Sequence, residues 1–468
     1  MKKSLLTLAL LASGALSVQA HAQTKAEFDE LRQEVMRLRQ EINAQKMQQP
    51  AAEATSPAGV IERLDQIEIK QKDAVVLGDM GGSFRLPGSE TSIKLYGYAE
   101  LNLVREGKAD NSNNDYSTFV PYAPINGKNG RTGQTYLHAR TSRIGIETST
   151  PTSYGPMGIK IEGDFNNEPR TGNGALYGSV ANIYTQQATN SYGFRLRQAY
   201  GTVGGFTAGQ TWSTFMDLDN SPENVDFNGP IGSTFVRQPL VKYAYATKDS
   251  GTFTVAAENS VSYVLDGTGV ATTAGFSKLP DFVARWDKSF GWGSMSARGV
   301  TLEHRLNDGA GLKLSKRGYG LGTTALIKTR DAKDFLSVAL TYGKGIGRYF
   351  NYVEGAIYDA SANTILLEDV AGLLVGYQYK HSDTFRVNAV AGYQKNLANS
   401  YTTFVKAQGL GAGQYGVNQS AYQAHLGFIY NPMKGVDIGA EYILGQRTTL
   451  AGEKGSLSRI NLSAKYNF

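Results

Sequence analysis

From Ile93 to the end of the chain, apolar and polar positions alternate in one stretch after another. The last twelve residues, LSRINLSAKYNF (Leu457 to Phe468), show it plainly. After Leu457 and a skip across Ser458 and Arg459, apolar side chains fall at Ile460, Leu462, Ala464, Tyr466 and Phe468, with Asn461, Ser463, Lys465 and Asn467 between them. Successive strand side chains point to opposite faces, so such a segment offers one apolar and one polar face. The first stretch does the same: Ile93, Leu95, Gly97, Ala99, Leu101 and Leu103 share one parity, and Lys94, Tyr96, Tyr98, Glu100 and Asn102 the other.

Sixteen such stretches are expected, near 93–103, 134–148, 158–166, 193–203, 205–213, 234–247, 251–261, 279–289, 292–305, 316–329, 334–343, 370–381, 384–394, 420–430, 434–445 and 457–468. Links after even-numbered strands are short, as at Gly204-Gly205 and Ser382-Asp383. Those after odd-numbered strands are longer and rich in Gly, Asn, Ser and Thr. Short turns on one side and long loops on the other predict an all-β transmembrane fold, a 16-stranded antiparallel outer-membrane β-barrel with both ends in the periplasm. An even number of strands closes without an edge, so the sheet can satisfy every backbone polar group itself. The terminal aromatic strand suits closure of such a barrel by the assembly machinery, whereas in a soluble sheet it would be an edge. A soluble β-propeller would show a repeated motif at a period of about 40–50 residues, and none is found.

The first 92 residues follow other periods. Lys2 and Lys3, the apolar run Leu5 to Ala12 and the small-residue site Ala20-His21-Ala22 predict a signal peptide over 1–22, too short to span a bilayer. Over 23–48, Phe28, Val35 and Ile42 fall at heptad position a, and Leu31 and Leu38 at d. Glu27, Glu34 and Glu41 occupy g and Arg32, Arg39 and Lys46 occupy e, so each acid lies five residues before a base. That charge code favours a parallel self-associating α-helical coiled coil over a lone amphipathic helix. β-branched residues at a with Leu at d lean toward two strands. Residues 49–90, with Pro50 and Pro57, form a linker containing a possible second short helix at Val60, Leu64 and Ile67; 91–468 is the barrel.

Composition refines the picture. A mean hydropathy of -0.31 would ordinarily indicate a soluble protein, but a barrel's lumen-facing positions are polar, so the average is uninformative. The chain has 54 Gly, 27 Tyr, 19 Phe and no Cys, which excludes disulfides and Cys-bound metal. Its formal charge of +6 falls to +4 once Lys2 and Lys3 leave with the signal peptide. No cofactor, metal site or nucleic-acid partner is expected.

An arginine on the lipid face costs roughly 2–4 kcal/mol at the midplane, so strand charges should face the lumen. Arg195 and Arg197 oppose Phe194 and Leu196; Arg143 alternates with Ile144 and Ile146; Arg285 lies between Ala284 and Trp286. Arg140 has the wrong parity relative to Arg143 and requires a bulge near Thr141-Ser142. Lys160, Glu162 and Asp164 alternate with Ile159, Ile161 and Phe165, which puts acids in the lumen too. Loop 214–233 carries Asp217, Asp219, Glu223 and Asp226, stiffened by Pro222 and Pro230. Folded inward it would constrict the bore, its acids facing the arginine-bearing wall. Those acids lack the regular spacing of a calcium loop. The His residues beyond the signal peptide, His138, His304, His381 and His425, form no recognisable catalytic or metal motif. A barrel hydrolase and a structural or adhesive barrel tethered by its coil are the alternatives to a channel.

Several stretches resemble one family, the DcaP-type dicarboxylate porins: GSFRLPGSETSIKLYGYAELNL (Gly82 to Leu103), FRLRQAYGTVGGFTAGQTWSTFMD (Phe194 to Asp217), NVDFNGPIG (Asn224 to Gly232), FVRQP (Phe235 to Pro239), PDFVARW (Pro280 to Trp286) and GKGIGRYFN (Gly343 to Asn351). The resemblance implies a trimer of sixteen-stranded barrels with a periplasmic coiled-coil stem, passing small organic anions such as dicarboxylates across the outer membrane. It supports Arg195, Arg197 and Arg237 as pore positions and 214–233 as the constriction loop.

Overall fold

The computed structural model describes residue 37, residues 75–109, 118–125 and 132–167, and residues 192–468. The chain divides into two units at Val75–Val76. In the first, Arg37 is helical and exposed; the proposed coil positions Phe28, Leu31, Val35, Leu38 and Ile42 lie outside the described residues. The second unit is a closed antiparallel barrel of sixteen strands. Among the described residues no helix is long and apolar enough to cross a membrane.

The strands are β1 (Ser92–Glu106), β2 (Thr135–His138 and, after a break, Arg143–Thr150), β3 (Met157–Asn167), β4 (Gly193–Val203), β5 (Phe206–Trp212), β6 (Arg237–Ala246), β7 (Thr252–Glu258) and β8 (Asp281–Phe290). The second half comprises β9 (Gly293–Asn307), β10 (Lys313–Thr329), β11 (Asp334–Lys344), β12 (Asp369–Lys380), β13 (Phe385–Leu397), β14 (Asn418–Tyr430), β15 (Val436–Thr449) and β16 (Lys454–Asn467). Each pairs with its neighbour in sequence, and β16 closes on β1, where Leu462 faces Leu103 and the main chains of Phe468 and Gly97 exchange hydrogen bonds. Arg459 of β16 and Glu106 of β1 form an ion pair across this seam, each about 1% exposed or less.

Parity decides the facing. Leu95, Leu101, Ile144, Phe194 and Leu462 are exposed on the outside, where a bilayer's hydrocarbon would cover them. Asn102, Asp164, Gln423, Arg459 and Asn461 are buried inside. Leu457 breaks the terminal pattern because it points inward, packing with Val120, Ala123 and Ile231 beneath the first loop. β2 is interrupted over residues 139–142, so the two halves can carry different parities.

Turns on one end are short, from Gly204-Gly205, with Gly204 at φ +54°, to residues 151–156. On the other end run 107–134, 168–192, 213–236, 259–280, 345–368 and 398–417. Two links expected to be long are short: 308–312 and 450–453. There β9 with β10, and β15 with β16, extend their ladders with polar residues at the outward positions, among them Arg305, Lys313 and Gln446. Loop 345–368 contains a hairpin of Ala356–Asp359 with Thr364–Leu367, and loop 398–417 contains the helix α1 (Ser400–Ala407), capped by Asn399.

Candidate functional site

Loop 213–236 runs along the inner wall, and its acids are the points of attachment. Ser213 Oγ and Thr214 N–H donate to Glu258 of β7 at 2.6 and 2.7 Å. Asp217 accepts from Ser296 Oγ of β9 at 2.5 Å and forms ion pairs with Arg285 of β8 at 3.3 Å and Arg298 of β9 at 3.6 Å. Arg285 Nη1 also donates to the Met216 carbonyl, and the guanidinium pairs with Asp287. Glu223 takes both Nε and Nη2 of Arg386 on β13, at 2.6 and 2.7 Å, with Gln378 of β12 and Asn388 of β13 donating alongside. Asp226 accepts from the N–H and hydroxyl of Thr118, both at 2.9 Å, tying this loop to the first.

Burial acts on all three acids, with different outcomes. It pushes the Asp217 carboxyl up, but Arg285 and the bonds from Asn220 and Ser296 outweigh it and hold the group below the usual carboxylate range. The same balance, won by Arg386, lowers Glu223. At Asp226 burial wins over His425 and Arg459, and the carboxyl is pushed up. Asp219, exposed, lines the space between the loop and the β5–β9 wall together with Lys242, Arg285 and Lys288.

The expectation that these acids face Arg195, Arg197 and Arg237 is therefore corrected. Asp217 and Glu223 point into the wall, Asp226 binds the first loop and Asp219 stays exposed, while β3 supplies the partners of the β4 arginines. Arg195 meets Asp164 through Nε and Nη2 at 2.9 and 2.8 Å. Arg197 bridges Glu162 and Asp164, each at 2.9 Å. Arg143 of β2 adds a 3.6 Å pair to Glu162, and its guanidinium lies 5.1 Å from the Tyr98 ring. From the loop, the ring of Phe227 is what meets this wall, 5.6 Å from the Arg195 guanidinium and 5.5 Å from that of Arg197.

Arg237 is the exception. It has the parity of lipid-facing Val241, as Trp212 has that of Phe206. The β4–β5 ladder, however, stops at Ala199–Gln210. Beyond that point the paired Trp212 and Arg237 turn toward β4. The Trp212 ring centre is 4.8 Å from the Arg237 guanidinium and 5.8 Å from that of Arg197. Among the described residues Arg237 has no carboxylate partner within salt-bridge distance, and its buried Nη1 has no hydrogen bond. Three guanidiniums, those of Arg143, Arg195 and Arg197, thus share two carboxylates, Asp164 and Glu162, and Arg237 stands beside them as a fourth without one.

Of the remaining expected lumen bases, Lys160 sits 4.0 Å from Glu147, over the Tyr96 ring. Arg140 does not face the bore: it is fully buried in the β2 break, 4.9 Å from the Tyr192 ring, with Nη2 donating to the Asn167 carbonyl. Parity alone would have found Arg298 and Arg386, which stand between Ala297 and Gly299 and between Phe385 and Val387. The same parity marks Glu441, between Ala440 and Tyr442, whereas nothing local in the sequence marks Phe227 or Trp212.

A sequence comparison with curated proteins finds no match. Among solved structures, the DcaP outer-membrane channel of Acinetobacter baumannii superposes with a TM-score of 0.66 at 24% identity, over 84% of this chain and all of that one. OmpT of Vibrio cholerae gives a TM-score of 0.47 at 15% identity, over 82% of this chain and 99% of that one. An anion-selective porin from Comamonas acidovorans gives 0.46 at 14%, over 81% and 100%. The first of these shows a shared fold. The model of the DcaP outer membrane protein family matches residues 22–468, so the chain belongs to that family and is a porin of the outer membrane.

Proposed function

We propose that this porin is a passive channel favouring small organic anions, dicarboxylates foremost. The observation that carries the reading is Arg237, a guanidinium without a carboxylate, beside a group in which Arg143, Arg195 and Arg197 already share Asp164 and Glu162. An anion entering a narrowed bore loses part of its hydration, and planar guanidinium donors replace it bidentately. In a wide bore the same charge would be screened within about 8 Å, so loop 214–233 acts as the constriction. The test is a reversal potential across a salt gradient, followed by flux of a four-carbon dicarboxylate against a neutral sugar of similar size. Arg237→Gln should lower the anion preference about tenfold, the equivalent of roughly 1.4 kcal/mol. An unchanged reversal potential in that variant removes the basis of the reading.

The N-terminal segment completes the proposal. Residues 1–22 direct export, 23–48 form a periplasmic oligomerisation stem, and 49–90 link it to the barrel, the whole assembling as a homotrimer whose last strand is read by the barrel assembly machinery. A peptide of Thr24 to Gln48 should then associate in parallel. Replacing Glu27, Glu34 and Glu41 by Lys should abolish that association.

A further inference from the structure

The tip of the inward loop is gripped by its main chain from β15, a strand on the other side of the β16–β1 seam from β4. Glu441 of β15 is 2% exposed, and its Oε1 and Oε2 accept the N–H groups of Asp226 and Val225, each at 2.9 Å. Behind it, His425 Nδ1 of β14 lies 2.9 Å from Oε1. A carboxylate holding two consecutive peptide N–H groups fixes both the place and the direction of that stretch of chain, through charge-assisted bonds stronger than neutral ones. The next residue is Phe227, whose ring stands 5.6 and 5.5 Å from the guanidiniums of Arg195 and Arg197.

We propose that Phe227 is a specificity-determining residue of the channel, and that Glu441 is the positioning residue that presents it to the β4 arginines. The inference rests on the anion-channel reading given above. A phenyl face is itself electronegative and attracts no anion. It works by occupying space: water is excluded from the guanidinium faces, and a passing carboxylate is left with the N–H edges of the group around Arg237 as its donors. Without the ring that space fills with electrolyte, and the fixed charge is screened within about 8 Å. Glu441 contributes no contact to the solute. Its effect on selection runs through the chain direction at Val225 and Asp226.

The experiment uses the full-length channel in planar bilayers, with reversal potential and single-channel conductance read for each variant and folding checked by heat-modifiability. Phe227→Ala should raise conductance and lower the anion-to-cation permeability ratio about threefold, the size of one modest polar contact. Phe227→Tyr should keep both near wild type. Glu441→Gln, which retains the shape but grips less firmly, should shift both in the direction of Phe227→Ala and by less. His425→Gln serves the same purpose should Glu441→Gln fail to assemble. Combined with Phe227→Ala, neither should lower the ratio further. A selective wild type with an unchanged Phe227→Ala ratio overturns the inference, and a double variant less selective than Phe227→Ala overturns the positioning role of Glu441. A wild type without anion preference instead overturns the channel reading itself.

Discussion

Arg195 and Arg197 on one side of the lumen, and Arg285, Arg298 and Arg386 on the other, have the same charge and the same kind of partner, yet they do different things. On β4 the carboxylates come from the adjacent strand, Asp164 and Glu162 of β3, so wall pairs with wall and the loop adds only the Phe227 ring to it. On β8, β9 and β13 they come from the loop, Asp217 and Glu223, so the pairs fasten the loop. One set leaves a surplus of positive charge beside the bore. The other spends its charge on architecture. Counting lumen arginines therefore says little about selectivity until the chain that supplies each partner is known.

The largest effect should follow from breaking the fastening side. Asp217→Ala leaves the guanidinium of Arg298, 2% exposed at its side chain, without its acid, and removing one partner of such a buried pair costs roughly 3–5 kcal/mol. The unfolding temperature in a heat-modifiability assay should fall, and the single-channel current should become larger and noisier. A quiet, wild-type current would mean that the loop is held without Asp217.

The wall side should respond foremost in selectivity, with a loss of stability of its own because Asp164 is fully buried. Replacing Arg195 and Arg197 together by Gln keeps hydrogen-bond donors beside Asp164 and Glu162 while removing both charges. The anion-to-cation ratio should fall by at least about tenfold, or roughly 1.4 kcal/mol, and dicarboxylate uptake should slow more than sugar uptake. If this variant instead loosens the loop, the two sides are not independent.

A smaller effect sharpens the comparison from outside the pore. Glu368, 3% exposed at the foot of loop 345–368, accepts from Gly355 N–H at 2.8 Å and from the Asn396 amide, with no cation beside it among the described residues. Burial, aided by Glu354, pushes its carboxyl up from 4.5 to about 7. A raised folded value means the native state holds the proton more tightly. The contribution is complete below the unfolded value and lost as pH rises through about 7. Asp217 is the opposite case: its lowered value gives a contribution present above 3.8 and lost on acidification below it. The protection of amides in loop 345–368, taken relative to the intrinsic base-catalysed exchange rate at each pH, should fall between about pH 5 and pH 8.5. Glu368→Gln should flatten that dependence, and protection that rises with pH would reverse the assignment.

Much of this architecture was legible residue by residue. The skip before Ile460 marks the point where Leu457 turns inward, and the conflicting parity of Arg140 and Arg143 marks the break in β2. The alternation makes 308–312 and 450–453 look longer than they are because the strand ends beside them carry polar residues at the outward positions, such as Arg305, Lys313 and Gln446. Arg237 is the sharpest case. By parity it belongs on the lipid side, and only the family resemblance placed it in the pore; it faces β4 because the β4–β5 ladder ends early, which no local pattern records.

The sequence by itself determined the number of strands, their facing and the end on which most long loops lie, because strand periodicity is a relation between residues two apart. Which acid neutralises which arginine was decided by the tertiary structure alone. Asp164 and Arg195 are 31 residues apart, Glu223 and Arg386 are 163, and Val225 and Glu441 are 216. Such pairs are set by barrel closure and by the path of one loop across the lumen, and charges of either sign at alternating positions are compatible with many pairings until that path is drawn.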